Sequence, residues 1–94
     1  MTSATPQQRV VYYEGHVQGV GFRHTTTQLA RPYSVSGYVQ NLEDGRVKLV
    51  VEGPPAELDK LERDIEERLG EFIRKRVSET RPATGTYTGF DVKR

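Results

Sequence analysis

Apolar and polar positions change period several times along the chain, and each change marks an element. Residues 9–17, RVVYYEGHV, are β-branched and aromatic, with Val11 and Tyr13 alternating against Val10 and Tyr12, which predicts a strand. Residues 15–21, GHVQGVG, hold three glycines and break both strand and helix periodicity. From Phe22 the spacing becomes helical: Phe22, Thr26, Leu29 and Ala30 fall at i, i+4, i+7 and i+8, and Pro32 should end the helix at or before Arg31. A strand is expected over Ser36–Asn41, a hairpin turn at Asp44-Gly45, and a returning strand over Arg46–Glu52. Gly53-Pro54-Pro55 opens the clearest helix, whose Leu58, Leu61, Ile65 and Leu69 share one face. Gly70 is its expected stop, and the charged run Glu62–Arg68 is expected to face solvent. Phe72–Thr80 reads as a fourth strand, and a short last one is expected near Tyr87–Val92.

The order βαββαβ, with a short extra terminal strand, predicts an α+β, ferredoxin-like sandwich: an antiparallel sheet covered by two helices on one face. In that topology the first two strands run parallel with a third between them. Their C-terminal ends share one edge, so the glycine-rich loop and Asn41 face a common site despite their separation in the chain. Residues 1–8, MTSATPQQ, are polar and read as a frayed tail, and residues 9–94 as a single domain.

Composition narrows the chemistry. Fourteen basic and 13 acidic residues leave a net charge of +1, so no strong field is aimed at nucleic acid or an anionic membrane. With no cysteine, disulfides, thiolate metal sites and a cysteine nucleophile are excluded; two histidines with no nearby carboxylate pair argue against any metal. No apolar run reaches membrane-spanning length. A cytoplasmic, monomeric domain without cofactor is the expectation.

In the loop, three glycines allow successive backbone N–H groups to form an anion-binding nest, to which the following helix adds its unpaired N–H groups and dipole. Arg23, in that helix's first turn, offers a planar fork suited to two oxygens of one phosphoryl group. The bland alternative is a glycine-rich turn beside a solvated arginine. Asn41 is either a turn residue before the hairpin or a neutral amide able to hold a water beside a phosphoryl dianion. His16 and His24 carry no assigned chemistry as side chains.

Gly15-His16-Val17-Gln18-Gly19-Val20-Gly21-Phe22-Arg23, followed by Gly37-Tyr38-Val39-Gln40-Asn41 and Asp44-Gly45-Arg46-Val47, resembles the acylphosphatase family over about residues 9–92. The resemblance implies that Gly15, His16, Val17, Gln18, Gly19 and Val20 bind the phosphate, that Arg23 clamps it, and that Asn41 orients the attacking water. It implies metal-free hydrolysis of a small acyl phosphate to a carboxylate and phosphate, with inorganic phosphate or sulfate as competitive ligands. One departure stands out: the family's Leu-Gly-Leu-like stretch after the first helix is here Arg31-Pro32-Tyr33-Ser34-Val35-Ser36. The other reading is a non-catalytic phosphate- or nucleic-acid-binding module. Nucleic acid is disfavoured because the expected central strand, RVKLVVE, has no aromatic for bases to stack on; Arg74-Lys75-Arg76 in the fourth strand speaks weakly for it.

Overall fold

In a computed structural model that describes residues 5–94, the chain runs β1 (Gln7–Gly15), α1 (Phe22–Ala30), β2 (Ser36–Asn41), β3 (Val47–Gly53), α2 (Pro55–Leu69), a short 3-10 turn (Gly70–Phe72), β4 (Ile73–Pro82) and β5 (Phe90–Lys93). The strands form one sheet in the order β4-β1-β3-β2-β5. β3 is antiparallel to both β1 and β2, so those two are parallel, as the ferredoxin-like arrangement requires. One detail differs from an all-antiparallel sheet: β5 pairs with β2 in parallel, which makes the sheet mixed.

The period-2 and period-3.6 stripes meet in one core. Val11, Tyr13, Val39, Val47, Leu49 and Val51 of the sheet pack with Phe22 and Ala30 of α1 and Leu58, Leu61, Ile65 and Leu69 of α2. Each such side chain contributes about 1.5–3 kcal/mol by leaving water.

Three expectations need correction. Gln7 and Gln8, placed in the tail, belong to β1: Gln8 is buried, and its amide donates to the Glu52 carboxylate on the paired strand at 2.7 Å. A glutamine with such a partner is a strand residue despite its polarity. Residues 1–4 lie outside the described residues. Phe72, expected to open the fourth strand, lies in the 3-10 turn instead, because the chain makes one more tight turn after α2 ends at Leu69 with Gly70 as its cap, as expected. Glu62 is not solvated but buried, because Arg9 of β1 (2.8 Å) and Arg76 of β4 (2.6 Å) both reach its carboxylate from the sheet.

The atypical segment after α1 is tied to α2. The Tyr33 hydroxyl donates to Asp64, and the Ser34 N–H donates to a Glu57 carboxylate oxygen at 3.1 Å. Val35 packs on the core, and β2 then begins at Ser36 as expected. The chain therefore delivers Asn41 to the sheet edge by side-chain anchors to α2 in place of the apolar stretch.

Candidate active site

The end of β1 is shaped for a close approach. The register of β1 on β4 shifts between Glu14 and Gly15, and a Cβ on Gly15 would fall 2.5 Å from the Phe72 carbonyl oxygen. Only glycine fits there. The next N–H, that of His16, donates to that same carbonyl at 2.8 Å. His16 therefore closes the strand, its amide is occupied, and its side chain is exposed.

Beyond His16 the backbone changes character. Among the described residues, the N–H groups of Val17, Gln18, Gly19 and Val20 have no acceptor from the protein. Gly19 and Gly21 both take positive φ, 82° and 76°, and Gly21 is the N-cap of α1. The first helical bond is donated by Thr25 to the Gly21 carbonyl, so the amides ahead of it face the helix N-terminus unpaired. The loop's side chains pin it from beneath: Val17 is fully buried and Val20 packs on the core. Phe22, the first residue of α1, lies against Tyr13 with ring centroids 5.1 Å apart.

Arg23 follows in the first turn of α1, half-buried, with no carboxylate partner among the described residues and no acidic residue in that turn. A cation at this end of a helix opposes the dipole, which an anion placed between them would relieve. Loop amides, helix N-terminus and guanidinium together suit a phosphoryl dianion.

Asn41 ends β2, paired with Val47 of β3. Its side chain does not serve the hairpin. The turn is held by the Leu42 N–H on the Arg46 carbonyl (2.8 Å) and by Asp44, whose carboxylate accepts from the Arg46 N–H at 3.1 Å and from its guanidinium at 2.8 Å. Those bonds hold the Asp44 carboxyl below its ordinary pKa. The Asn41 Oδ1, by contrast, is buried with no hydrogen-bond partner.

What joins loop to hairpin is Gln18. Its Nε2 donates to the Leu42 carbonyl at 2.7 Å and to the Arg46 carbonyl at 2.9 Å. The residue after Asn41 and the one just before β3 are thus both held by the loop. His24 is exposed on α1. Among the described residues no three histidine or acidic side chains gather as metal ligands.

A loop of amides without protein acceptors, an arginine at a helix N-terminus and a half-buried asparagine whose side chain is unpartnered among the described residues now stand on the fold that the chain's pattern predicts. The sequence model of the acylphosphatase family matches residues 9–92. The chain belongs to the acylphosphatase family. An acylphosphatase of Rubrobacter xylanophilus is 43% identical to it over 95 residues, covering 99% of this chain and 86% of that one. Among solved structures, an acylphosphatase from Coxiella burnetii superposes with a TM-score of 0.83 at 27% identity, covering 99% of this chain and all (100%) of that one. An acylphosphatase from Bacillus subtilis gives a TM-score of 0.84 at 24% identity, over 94% and 99% of the two chains, a likeness of fold. Like this acylphosphatase, both structures share the mixed five-strand sheet with two helices. Gln18's bridge is what sequence reasoning missed in this site; an amide side chain inside a glycine-rich turn was its one visible signal.

Proposed function

We propose that this acylphosphatase hydrolyses the carboxyl–phosphate bond of a small acyl phosphate by direct attack of water. The phosphoryl group sits on the amides of Val17, Gln18, Gly19 and Val20 and in the fork of Arg23, and Asn41 aligns the water. Gly15 and His16 shape the loop, His16 without donating to the ligand. Water forms the new P–O bond as the bond from phosphorus to the carboxylate oxygen breaks; the electron pair leaves on the carboxylate, and the water's proton goes with the phosphate product. A carboxylate is a weak base, so its departure needs no strong general acid. The reaction asks instead for charge stabilisation and alignment, which amides, arginine and asparagine supply.

The observation that carries this reading is the unpartnered Oδ1 of Asn41 beside a loop whose amides have no protein acceptor. Among the described residues no hydrogen bond holds either end of the Asn41 amide, so it can turn its oxygen to a water and its NH2 to a phosphoryl oxygen. Every group named comes from one chain, so a monomer suffices.

Phosphate release from acetyl phosphate by the purified chain is the direct test. In Asn41→Ala, kcat should fall on the order of 10²-fold or more, as when one oriented polar group is removed from a reaction centre. The inhibition constant for inorganic phosphate and the melting temperature should stay near wild type. Activity that survives in proportion to folded protein would return Asn41 to a structural role.

A further inference from the structure

The helices cover one face of the sheet, and its opposite face carries side chains that the phosphate loop does not use. Val11, Tyr13, Val39 and Leu49 lie under the helices, so their chain neighbours point to the open side. Register places one row across all five strands: Val77 of β4 beside Tyr12 of β1, then Lys48 of β3, Gln40 of β2 and Lys93 of β5. The next row, two residues along each strand, sets Tyr38 of β2 beside Val50 of β3, and Val50 beside Val10 of β1.

Rings and cations alternate over this surface. The Arg46 guanidinium carbon lies 4.6 Å from the Tyr12 ring centroid, and Lys93 Nζ lies 4.6 Å from that of Tyr38. Lys48 stands between the two rings, its Nζ 5.9 Å from Tyr12 and 6.0 Å from Tyr38. Tyr87, from the β4–β5 connection, tilts against Tyr38 with centroids 5.9 Å apart. Val77 adds exposed apolar surface at the β4 end of the first row.

Acids on this face are fewer or engaged. Glu79 is held by Arg81 at 2.6 Å, and the buried Glu52 accepts from Gln8, Thr84 and Gly85. Asp91 of β5 is paired in register with Tyr38, Asp44 holds the Arg46 guanidinium at 2.8 Å, and Glu14 is paired in register with Lys75. The basic run of β4 contributes less than its sequence suggests, because Arg76 points to the helices and binds Glu62 and Glu66.

A duplex would present phosphates to the cations but keep its bases from the rings. An acidic peptide would likewise leave the rings idle. A polyanion with exposed flat rings uses both, since every base has a face to stack on tyrosine and every phosphate a charge for lysine. We propose that the open face of the sheet binds single-stranded nucleic acid over two or three nucleotides without sequence preference, with bases on Tyr12 and Tyr38 and the backbone along Lys48 and Lys93. At about 4.8 Å per strand, the row across five strands spans about 19 Å. Exposed cation–π contacts are weak, so the lysines swing aside at small cost, while Arg46 stays held by Asp44.

The test is a fluorescence-anisotropy titration with a short labelled oligothymidylate, run beside its duplex and beside polyglutamate, across a range of salt. The single strand should bind best, with a log–log salt slope of about −1.4 to −2.1 for two or three phosphates. Replacing Tyr12 and Tyr38 together by leucine should weaken binding on the order of 10-fold or more. Tyr12→Phe, which keeps the ring, should bind as wild type does. Lys48→Glu should weaken binding and flatten the slope. Arg23→Lys should leave oligonucleotide affinity unchanged. The proposal is overturned by no binding at low salt, by equal binding of duplex or polyglutamate, by indifference to the Tyr12, Tyr38 and Lys48 variants, or by loss of binding in Arg23→Lys, which would put the oligonucleotide in the loop. Acetyl phosphate hydrolysis, measured on each variant, reports separately on the fold and on the phosphate site.

Discussion

Gln18→Leu should separate the alignment of the active site from its grip on phosphate. The substitution keeps side-chain bulk and removes both bonds from Nε2, at 2.7 and 2.9 Å, to the carbonyls of Leu42 and Arg46. Two neutral hydrogen bonds are worth about 2 kcal/mol together. Water reaches this half-buried bridge and replaces part of that, so about 1–2 kcal/mol is the expected loss of stability. For a domain of this size each kcal/mol moves Tm by about 4–8 °C, which predicts a fall of about 4–16 °C. Catalysis should suffer more than stability, because the hairpin bearing Asn41 would no longer be tied to the loop. A misplacement of about 1 Å costs on the order of 10²-fold, so kcat should fall by about 10- to 100-fold. The phosphate inhibition constant should move little, since the amides of Val17–Val20 and Arg23 lie on one side of the broken link. Gln18→Glu should be worse than leucine at neutral pH, because a carboxylate would face two carbonyl oxygens with no proton to donate. Steady-state kinetics, phosphate competition and thermal melts on both variants decide it. Wild-type kcat with a lowered Tm would refute the alignment argument. A phosphate constant that rises in step with the loss of kcat would show that Gln18 shapes the loop itself.

Arg23→Lys should lower kcat on the order of 10³-fold and weaken phosphate as well, since an ammonium cannot span two phosphoryl oxygens; activity near wild type would leave Arg23 a solvated side chain. Inorganic phosphate and sulfate should compete with acetyl phosphate, and in NMR titrations the amide resonances of Val17–Val20 should shift; perturbation confined to other residues would sink the cradle. Glu52 supplies a prediction in pH. Burial alone would push its carboxyl up, but the Thr84 N–H and hydroxyl, the Gly85 N–H and the Gln8 amide outweigh burial and hold it below its ordinary value. Its contribution is therefore complete above about pH 4.5 and lost as pH falls through the depressed folded value. Glu52→Gln should destabilise by about 1.5–3 kcal/mol at neutral pH, as hydrogen bonds to a charged group weaken, and flatten the acid limb of a stability–pH curve; an unchanged acid limb would assign that slope to other carboxylates.

The parts of this fold legible in the sequence are those a single element encodes. Leu58, Leu61, Ile65 and Leu69 lie on one stripe because the helix itself brings them round, and Ser36–Asn41 alternates because a strand must. Glu62 was misjudged for the same reason. Its own helix says only that it lies among charged residues, while the arginines that bury it stand 53 and 14 positions away. Gln8 is alike: polar by composition, it becomes a strand residue through Glu52, 44 positions on.

The site divides along the same line. Arg23 and the loop are contiguous, so their proximity could be read from spacing. Asn41 acquires meaning only from the topology. β1 and β2 run parallel with β3 between them, which leaves their ends about two strand spacings apart, close to 10 Å. A link between the loop and the turn that follows Asn41 has to span that gap past the start of β3. Gln18 does so by bonding to the two carbonyls that flank the hairpin. The same strand order sets Lys48 between Tyr12 and Tyr38, three residues unremarkable in their own segments. The absence of an aromatic on β3 counted against nucleic acid only while β3 was considered alone. Once its neighbours are known, the rings come from either side. One topological fact thus assembles Asn41 at the end of β2 and the aromatic–cationic row on the sheet's open face.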